Sequence, residues 1–544
     1  MAVSAAQTRH RVNSTPAAAV DVAIIGAGPG GLTAGAYLAR HGLKVAIFDG
    51  HYVAGGSATM FRRVRDKTEY HFDIGLHYIG DCGEDGAIPR LLRGVGVEMA
   101  FLPLDEDGFD TLLFPDLTFA VPVGRERFRD RLVEQFPSER RGIDRYIRFI
   151  KEIDEYISTI EKRGAKMTAG LLLHVLMKGR LLARYQNQTL DVLLDSCTKN
   201  PKLRAVLAGQ NGDYGLPPGK VSSVLHGGLV NHYLRGAYYP RGGGQEIADR
   251  LAETIEAAGG SIHLRHRVTR IEVENNRAAG VTVQPHRGES MTVRADVVLS
   301  NADITATMMQ LLGPEHLPRK WVERVSSFEM PPGIFMTCLA VDGPINGMKR
   351  CNYWKFDTYD FNELYASLTE GPPKARCAYI TSASMKDPDT ALHGPPGRTN
   401  VEVMTVLDGR TTRWGATPEQ VMDGGYRKNN RYQALKAQIE ASLIGELESV
   451  FPGTADRIVF QESATPVTHS RYTAAKDGTS YGLSATPSQF LKNRPGYRGP
   501  VADLFLCGAS TRAGHGIVGA MRSGYEAAKR IVRRFDTDPL PKLS

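Results

Sequence analysis

A glycine-rich segment near the N-terminus carries the clearest chemical signal in the sequence. Its residues are Gly26, Ala27, Gly28, Gly30 and Gly31. Glycines at the spacing G-x-G-x-x-G let the backbone turn tightly, approach a pyrophosphate and pack a helix closely against a strand. Asp49 follows at the distance where an acidic side chain accepts hydrogen bonds from ribose hydroxyls. The sequence therefore predicts a dinucleotide site.

The elements around this motif are those that such a site needs. An apolar run over 22–25 predicts a buried strand that leads into the turn. Apolar residues at helical spacing follow the turn, and Gly42 ends the predicted helix. A second apolar run over 45–48 predicts the next strand, which ends at Asp49. The glycine motif alone is weak evidence for a nucleotide site. Strand, turn, helix, strand and terminal acid in this order are specific evidence for one.

Further pieces of the same domain are spread along the chain. Gly55, Gly56 and Ser57 form a second glycine loop, placed to pass back over the nucleotide. Later strands are predicted over 261–268, 278–283, 291–293, 295–302 and 504–506. A nucleotide domain assembled from N-terminal, middle and C-terminal segments is typical of FAD oxidoreductases rather than of simple NAD dehydrogenases. FAD is therefore the expected cofactor.

The segment DIGLHYIGD, residues 73–81, places His77 and Tyr78 between two glycines. A histidine titrates near neutral pH, so His77 is a candidate proton donor. It could instead line the flavin or the substrate channel, or only bond to the backbone of a tight loop. Metal binding is not expected, because no partner ligands stand at suitable spacing.

A second candidate segment is Tyr239-Pro240-Arg241 followed by three glycines. Backbone amides at the start of the helix predicted after Gly244 would suit an anion or the flavin, and a simple helix start is the alternative. The tyrosine cluster that includes Tyr239 fits either an apolar tunnel or core packing.

Several internal motifs resemble those of a known family. They are GGS at 55–57, GDYGLPP at 212–218, NHYLRGAYYPRGGG at 231–244, SNAD at 300–303 and LFLCGAS at 504–510. From about residue 20 to 535 the chain resembles the phytoene desaturase superfamily of flavoproteins, and within it the retinol saturase and carotenoid isomerase branch. Family members commonly carry Glu in place of Asp49. Residues 512–517 depart from the glycine-rich turn of carotenoid desaturases, which argues against desaturation.

The resemblance implies further site residues. Val268 occupies the position where relatives place a backbone against the adenine. Gly508, Gly516, Ile517 and Val518 occupy positions where relatives approach the flavin ring and pyrophosphate. His515 is a further candidate for flavin contact, with helix capping or solvent exposure as alternatives. We expect His77, Tyr239 and His515 to form the catalytic set.

The implied function is FAD-dependent reduction of a carbon-carbon double bond in a polyene or isoprenoid lipid. Carotenoid isomerisation or desaturation, a flavin-binding lipid carrier and an amine oxidase-like flavoenzyme are the alternatives. No second strand-linked G-x-G-x-x-G motif is present. Electrons must therefore come from a transient donor, leave to a transient acceptor, or cycle in a redox-neutral isomerisation.

The expected fold class is α/β, with a Rossmann-like FAD-binding domain built from discontinuous segments and an α+β substrate domain. The FAD-binding segments are 20–94, 236–312 and 496–535, and the substrate segments are 95–235 and 313–495. Residues 1–19 and 536–544 are expected to be tails, the first of them disordered.

Composition limits the remaining partners. The net charge is +8, but the basic residues are scattered without a nucleic-acid module, so no nucleic-acid partner is expected. Six cysteines without a C-x-x-C pair indicate reduced thiols inside a cell.

Residues 1–19 lack a secretion signal, and no apolar run is long enough to span a bilayer. Residues 167–185 combine Leu and Met with basic residues, which suits either contact with an anionic membrane or a buried amphipathic helix. The expected location is cytoplasmic, with peripheral contact at the inner membrane face.

Overall fold

The computed structural model describes residues 15–163, 179–535, 537–541 and 543. In chain order the strands are β1 Ala19–Ile25, β2 Val45–Asp49, β3 Met60–Arg65, β4 Thr68–Asp73, β5 Ile79–Gly80, β6 Phe101–Pro103, β7 Asp110–Phe114, β8 Leu117–Val121, β9 Ala237–Pro240, β10 Ser261–Leu264, β11 His266–Glu274, β12 Arg277–Pro285, β13 Met291–Ser300, β14 Gly333–Asp342, β15 Asn352–Phe356, β16 Cys377–Thr381, β17 Arg398–Leu407, β18 Ile458–Ala464 and β19 Leu504–Leu506.

The α-helices connect these strands and cover the sheets. They are Pro29–Arg40, Ala87–Arg93, Arg125–Gln135, Arg140–Arg163, Arg180–Tyr185, Leu190–Cys197, Pro201–Leu207, Ser223–Leu234, Gly244–Ala257, Ile304–Ala306, Arg319–Ser326, Phe361–Ser367, Ala383–Lys386, Pro418–Asp423, Asn430–Val450, Pro466–Thr473 and Gly516–Val532.

The nucleotide motif belongs to a seven-stranded sheet with the order β10-β2-β1-β13-β12-β11, in which β19 also pairs with β13. The strands β10, β2, β1, β13 and β19 run parallel, whereas β12 and β11 are antiparallel additions. The helix Pro29–Arg40 packs between the helices Gly244–Ala257 and Gly516–Val532. The apolar runs of β1 and β2 are almost fully buried, as parallel strands covered on both faces require.

Two strand boundaries differ from the sequence prediction. The predicted strand over 261–268 is broken at Arg265, which has a positive φ of 59° and whose N–H donates to the carbonyl of His51. The prediction of two separate strands over 291–293 and 295–302 is wrong, because β13 is continuous. Its first half alternates between buried and exposed residues beside β12, and its last four residues are buried. The alternation of buried and exposed residues stops halfway along β13, so the sequence pattern suggested two strands where the structure has one.

A second seven-stranded sheet has the order β18-β14-β17-β16-β15-β7-β8. Along β14 the side chains alternate between two cores. Phe335 and Leu339 pack in the core that contains the helix Asn430–Val450, whereas Met336 and Cys338 pack in the core that contains Arg140–Arg163 and Ser223–Leu234. This sheet is therefore covered by packed side chains on both faces.

Two small sheets connect the large ones. One consists of β3 and β4, and the other has the order β5-β9-β6. The segment 74–78, which contains His77, runs between β4 and β5 and is held at both ends by these sheets. All six cysteines are free thiols.

The segment predicted to contact a membrane is described only in part. Residues 167–178 lie outside the described residues, and the short helix Arg180–Tyr185 buries Leu181, Leu182 and Tyr185. Among the helices that the structure describes, none is both long enough and apolar enough to cross a bilayer.

We expect Gly31→Ala to destabilise the protein by about 1–3 kcal/mol, because overpacking a fixed backbone contact costs that much. A Cβ at Gly31 would lie 2.1 Å from the carbonyl oxygen of Gly26. Gly445→Ala is the matched control, since Gly445 is exposed within a helix and a Cβ there meets nothing within 4 Å. Thermal unfolding should show the control unchanged or stabilised by about 0.5–1 kcal/mol. Equal stability of the two variants would contradict the close approach at Gly31.

Candidate functional site

A cavity of about 1300 Å³ is lined by residues of both large sheets. One end lies against the carboxyl ends of β1 and β2, where ligands bind in open α/β sheets. The other end is lined by the aliphatic residues Ile153, Ile157 and Leu229 of two helices. The cavity therefore joins a nucleotide-type edge to an apolar chamber.

The glycine loops form a cradle at the first end. Gly28 and Gly56 line the cavity from two different loops, and a Cβ at Gly56 would lie 3.1 Å from the Cα of Gly28. Asn301, at the end of β13, fixes this cradle, because its side-chain amide donates to the carbonyl of Gly26 at 3.4 Å. A Cβ at Gly28 would lie 2.9 Å from Nδ2 of Asn301, so neither glycine position leaves room for a side chain in the cradle.

Two helices begin at the cavity without a side-chain cap. They are Pro29–Arg40, which follows Gly28, and Gly516–Val532, which follows His515. Neither has an acidic residue in its first turn. Unpaired N–H groups and the positive end of the helix dipole favour an anion at such positions. Both helix starts therefore fit the phosphates and the electron-rich ring of a flavin dinucleotide.

Asp49 is held rigidly beside the cradle. Its Oδ2 accepts from the backbone N–H of Ala27 at 2.7 Å, and its Oδ1 accepts from that of His51 at 2.7 Å. Each carboxylate oxygen keeps a further lone pair for a ligand hydroxyl. Asp49 and Val268 both line the cavity, Val268 from the sheet edge formed by β11.

The structure brings most of the predicted cofactor residues together. Those that line the cavity are Gly26, Gly28, Asp49, Gly56, Ser57, Val268, Gly508, Gly516, Ile517 and Val518. Ala27, Gly30, Gly31 and Gly55 do not line it, and serve packing or backbone bonding. At Gly30, for example, a Cβ would lie 2.5 Å from Oδ1 of Asn301 and 2.9 Å from the carbonyl oxygen of Ala520.

His77 lines the cavity, as one of its two predicted roles requires, and its pKa bears on the other role, that of proton donor. Burial, with the positive charge of Lys386 as a second cause, lowers the pKa of His77 to about 3. The ring is therefore neutral at pH 7 and has no imidazolium proton to donate. Its position leaves His77 as a wall of the chamber, with its ring centre 6.1 Å from that of Tyr379.

His515 also lines the cavity, at the residue that precedes the helix Gly516–Val532. Its Nε2 lies 3.0 Å from the carbonyl oxygen of Asp213, and its ring stacks on that of Tyr481 with centres 5.5 Å apart. Burial lowers the pKa of His515 to about 4, so this ring is neutral as well. His515 joins the start of this helix to the loop that contains Asp213.

The prediction that Tyr239 acts on the substrate needs correction. Tyr239 is fully buried, does not line the cavity, and donates its hydroxyl hydrogen to Asp73. The glycines that follow it bind protein carboxylates instead of a cofactor, since the N–H of Gly242 donates to Oδ2 of Asp387 at 2.8 Å. The anion that the helix start attracts is therefore supplied by the chain itself.

The sequence analysis missed an acidic cluster on the wall of the chamber. The hydroxyl oxygen of Tyr78 lies 2.6 Å from Oδ2 of Asp213 and 3.2 Å from Oδ2 of Asp110. Asp213 lines the cavity, whereas Asp110 is fully buried behind it. The only signal in the sequence was the acidic residue inside the motif GDYGLPP.

Aromatic rings surround this cluster. Tyr78 stacks on Tyr233 with ring centres 4.3 Å apart, and Trp354 lies 4.3 Å from Tyr379. All four residues line the cavity. Flat rings pack well against a conjugated chain. The chamber is thus apolar and aromatic around one acidic group.

A buried lysine fixes this wall from behind. Nζ of Lys386 donates to the carbonyl oxygen of His77 at 2.6 Å, to Oδ1 of Asn352 at 2.6 Å and to the hydroxyl of Thr381. Burial lowers the pKa of Lys386 to about 8 against the opposing effect of Glu402 and other carboxyl groups. The same burial raises the pKa of Glu402 to about 8.

Comparison with known proteins identifies relatives along nearly the whole chain. The family model for flavin-containing amine oxidoreductases matches residues 29–532. All-trans-retinol 13,14-reductase of Danio rerio is 28% identical over 536 residues, which cover 95% of this chain and 86% of that protein. The chloroplastic prolycopene isomerase of Daucus carota is 24% identical over 526 residues, which cover 94% of this chain and 80% of that protein.

A solved structure shares the fold. Cyclohexylamine oxidase from Brevibacterium oxydans superposes with a TM-score of 0.58 at 17% identity, covering 95% of this chain and 100% of that one. The predicted α/β fold with a Rossmann-like nucleotide domain is thereby confirmed.

We expect Tyr239→Phe to lower the free energy of unfolding by about 1–3 kcal/mol, because the buried carboxyl of Asp73 loses a hydrogen-bond donor. The absorption spectrum of the bound flavin should not change, since Tyr239 lies outside the cavity. Tyr359→Phe is the control, because its hydroxyl bonds to the exposed Asp116. Denaturant unfolding measures the stability of both variants, and absorption spectra measure the environment of the flavin. A spectrum that shifts in Tyr239→Phe alone would show that Tyr239 does contact the site.

Proposed function

The chain belongs to the family of flavin-containing amine oxidoreductases, and from this premise we propose that it uses FAD to add hydrogen across a carbon-carbon double bond of a polyene or related isoprenoid lipid. One observation carries the proposal. A single cavity joins the nucleotide cradle to an apolar, aromatic chamber in which His77 and His515 are neutral. An uncharged conjugated chain suits such a chamber. The names of the relatives from Danio rerio and Daucus carota fit this substrate class.

FAD, rather than a mononucleotide, fits the length of the site. The cradle of Gly26, Gly28 and Gly56 would hold the pyrophosphate, with Asp49 at the ribose and Val268 at the adenine. Residues 516–518 would contact the ring with the N–H groups of an uncapped helix start. Bound there and reduced, the flavin supplies a hydride equivalent.

The protein residues position the substrate and exclude water. Tyr233, Trp354 and Tyr379 form flat walls, and the aliphatic side chains at the far end bury the rest of the apolar chain. Burial of apolar surface contributes about 25 cal/mol per Å² to such binding. The loop 74–78 is fixed by Lys386, so the wall that carries His77 and Tyr78 is preorganised.

Redox-neutral isomerisation is the second candidate, because the relative from Daucus carota is a prolycopene isomerase. The same walls would then hold the polyene while one double bond changes geometry.

We further propose that a transient partner supplies or accepts electrons, and that the region 167–185 contacts the membrane from which a lipid substrate is taken. The first rests on the lack of a second dinucleotide motif in the sequence, and the second on the Leu, Met and basic residues of 167–185.

The cofactor is tested by denaturing the purified protein and separating the released flavin by liquid chromatography with fluorescence detection. We expect FAD in equimolar amount. Asp49→Ala should weaken flavin retention about tenfold or more, because a ribose hydroxyl loses a charged acceptor worth about 1.5–3 kcal/mol. Asp49→Glu, the side chain common in the family, serves as the control that retains the flavin. Release of FMN would contradict the dinucleotide assignment.

The reaction is tested by single turnover. The flavin is reduced anaerobically with light and mixed with all-trans-retinol or a carotenoid. A dihydro product formed as the flavin reoxidises supports reduction, whereas a geometric isomer with no net flavin oxidation supports isomerisation. Unchanged lipid that co-purifies with the protein would indicate a carrier. Peroxide formed aerobically with cyclohexylamine or putrescine would indicate an amine oxidase and contradict the proposal.

A further inference from the structure

Two carboxyl groups share one hydroxyl group at the wall of the chamber. The phenol oxygen of Tyr78 is within hydrogen-bond distance of both Asp213 and Asp110. Its single hydrogen can serve only one of them. Two ionised carboxylates this close in a buried site repel each other strongly, so one proton is retained by the pair.

Burial raises the pKa of both carboxyl groups, but hydrogen-bond donors favour ionisation of Asp110 over that of Asp213. Its Oδ1 accepts from Nδ2 of Asn352 at 2.8 Å, and its Oδ2 accepts from Nε2 of Gln210 at 2.7 Å. Asn352 in turn accepts from the ammonium of Lys386, which places a positive charge one residue behind Asp110. Donors to the charged form favour that form.

Asp213 lacks such support. Among the described residues its carboxyl group has Tyr78 as its hydrogen-bond partner, and aromatic rings form its surroundings. Burial, followed by the negative charge of Asp110, raises the pKa of Asp213 well above its usual value. Asp213 is therefore the member that carries the proton at neutral pH.

The backbone around Asp213 is fixed next to the nucleotide side of the cavity. Its carbonyl oxygen bonds to Nε2 of His515, which precedes the helix whose start fits the flavin. The preceding carbonyl, that of Gly212, accepts from the hydroxyl of Tyr481 at 2.5 Å. Both anchors line the same cavity. Asp213 thus lines the same cavity as the uncapped helix start at Gly516 and the aromatic rings, which is where a proton donor must stand.

We propose that Asp213 is the catalytic acid of the double-bond reduction, a role that rests on the function proposed above. One carbon of the double bond receives the hydride equivalent that the reduced flavin supplies. The former π electron pair then forms a C–H bond at the neighbouring carbon with the proton of Asp213. The O–H bond of Asp213 breaks, its electron pair remains on the carboxylate, and the substrate gains two hydrogens and two electrons.

Tyr78 is the positioning residue of this step. When Asp213 becomes a carboxylate, the Tyr78 hydroxyl can turn its hydrogen from Asp110 to Asp213 and stabilise the new charge. Asp110 keeps its bonds to Gln210 and Asn352 throughout. The proton returns to Asp213 from solvent before the next turnover.

Single turnover of the reduced enzyme with all-trans-retinol tests the acid. We expect Asp213→Asn to bind flavin with an unchanged spectrum and to form dihydro product about 10²–10⁴-fold more slowly, the usual contribution of a general acid. Asp213→Glu should recover part of the rate. Asp73→Asn is the matched control, because Asp73 is also a buried carboxyl bonded to a tyrosine but lies outside the cavity. It should retain the wild-type rate per folded molecule.

Infrared spectroscopy of the oxidised, substrate-free enzyme tests the protonation state without turnover. We expect the difference spectrum between wild type and Asp213→Asn at pH 7 to contain the C=O band of a protonated carboxyl group. A carboxylate band in its place would overturn the proposal, whatever the rates.

The outcomes separate the two proposals. A wild-type enzyme that reduces no polyene overturns the proposed function, and the role of Asp213 with it. A wild-type enzyme that reduces retinol while Asp213→Asn matches its rate overturns the role of Asp213 alone. If Tyr78→Phe abolishes the reaction and Asp213→Asn does not, Tyr78 is the donor and the assignment to Asp213 is wrong.

Discussion

The buried ammonium group of Lys386 is the interaction on which the site depends. An ammonium has three donors, and the three acceptors of Lys386 come from different parts of the chain: the loop 74–78, β15 and β16. A charge in the interior is tolerated only when it is paired and fully hydrogen-bonded. The lysine therefore fixes the second sheet to the wall of the cavity, and its charge opposes the effect of burial on the pKa values of Asp73 and Glu402.

This charge distribution extends to the chamber. Asn352 links the two groups, because it donates to Asp110 and accepts from Lys386. Burial raises the pKa values of four carboxyl groups: Asp73, Asp110, Glu402 and Asp213. The histidines at the cavity are neutral for the same reason. The rings around Asp213 are thus uncharged, although the cavity lining as a whole also includes charged side chains such as Arg63, Arg427 and Glu462.

Local patterns in the sequence were sufficient for the nucleotide half of the protein. The glycine motif, Asp49 and the following strands are defined by spacing within short segments, and the family resemblance to the retinol saturase and carotenoid isomerase branch is confirmed by the relatives. The chemistry of the chamber depends instead on distant pairs. Tyr239 meets Asp73 across 166 positions and Tyr78 meets Asp213 across 135, so neither partner could be read from spacing. The neutral state of His77 depends on burial and on Lys386, which is 309 positions away from it.

The same electrostatics bear on the choice between a polyene and an amine. Moving an ammonium group from water into a closed chamber costs several kcal/mol unless a carboxylate receives it. Cation–π contacts with aromatic side chains such as Tyr233 and Tyr379 can offset about 2 kcal/mol of this desolvation cost. Burial, followed by the charge of Asp110, raises the pKa of Asp213, so this carboxyl group offers no full counter-charge in the chamber. A polyene pays no such desolvation cost and gains about 25 cal/mol for each Å² of apolar surface that it buries. A fold shared with an amine oxidase can therefore hold a chamber selective for an uncharged, conjugated substrate, because burial and the neighbouring Asp110 together disfavour the ionised form of Asp213.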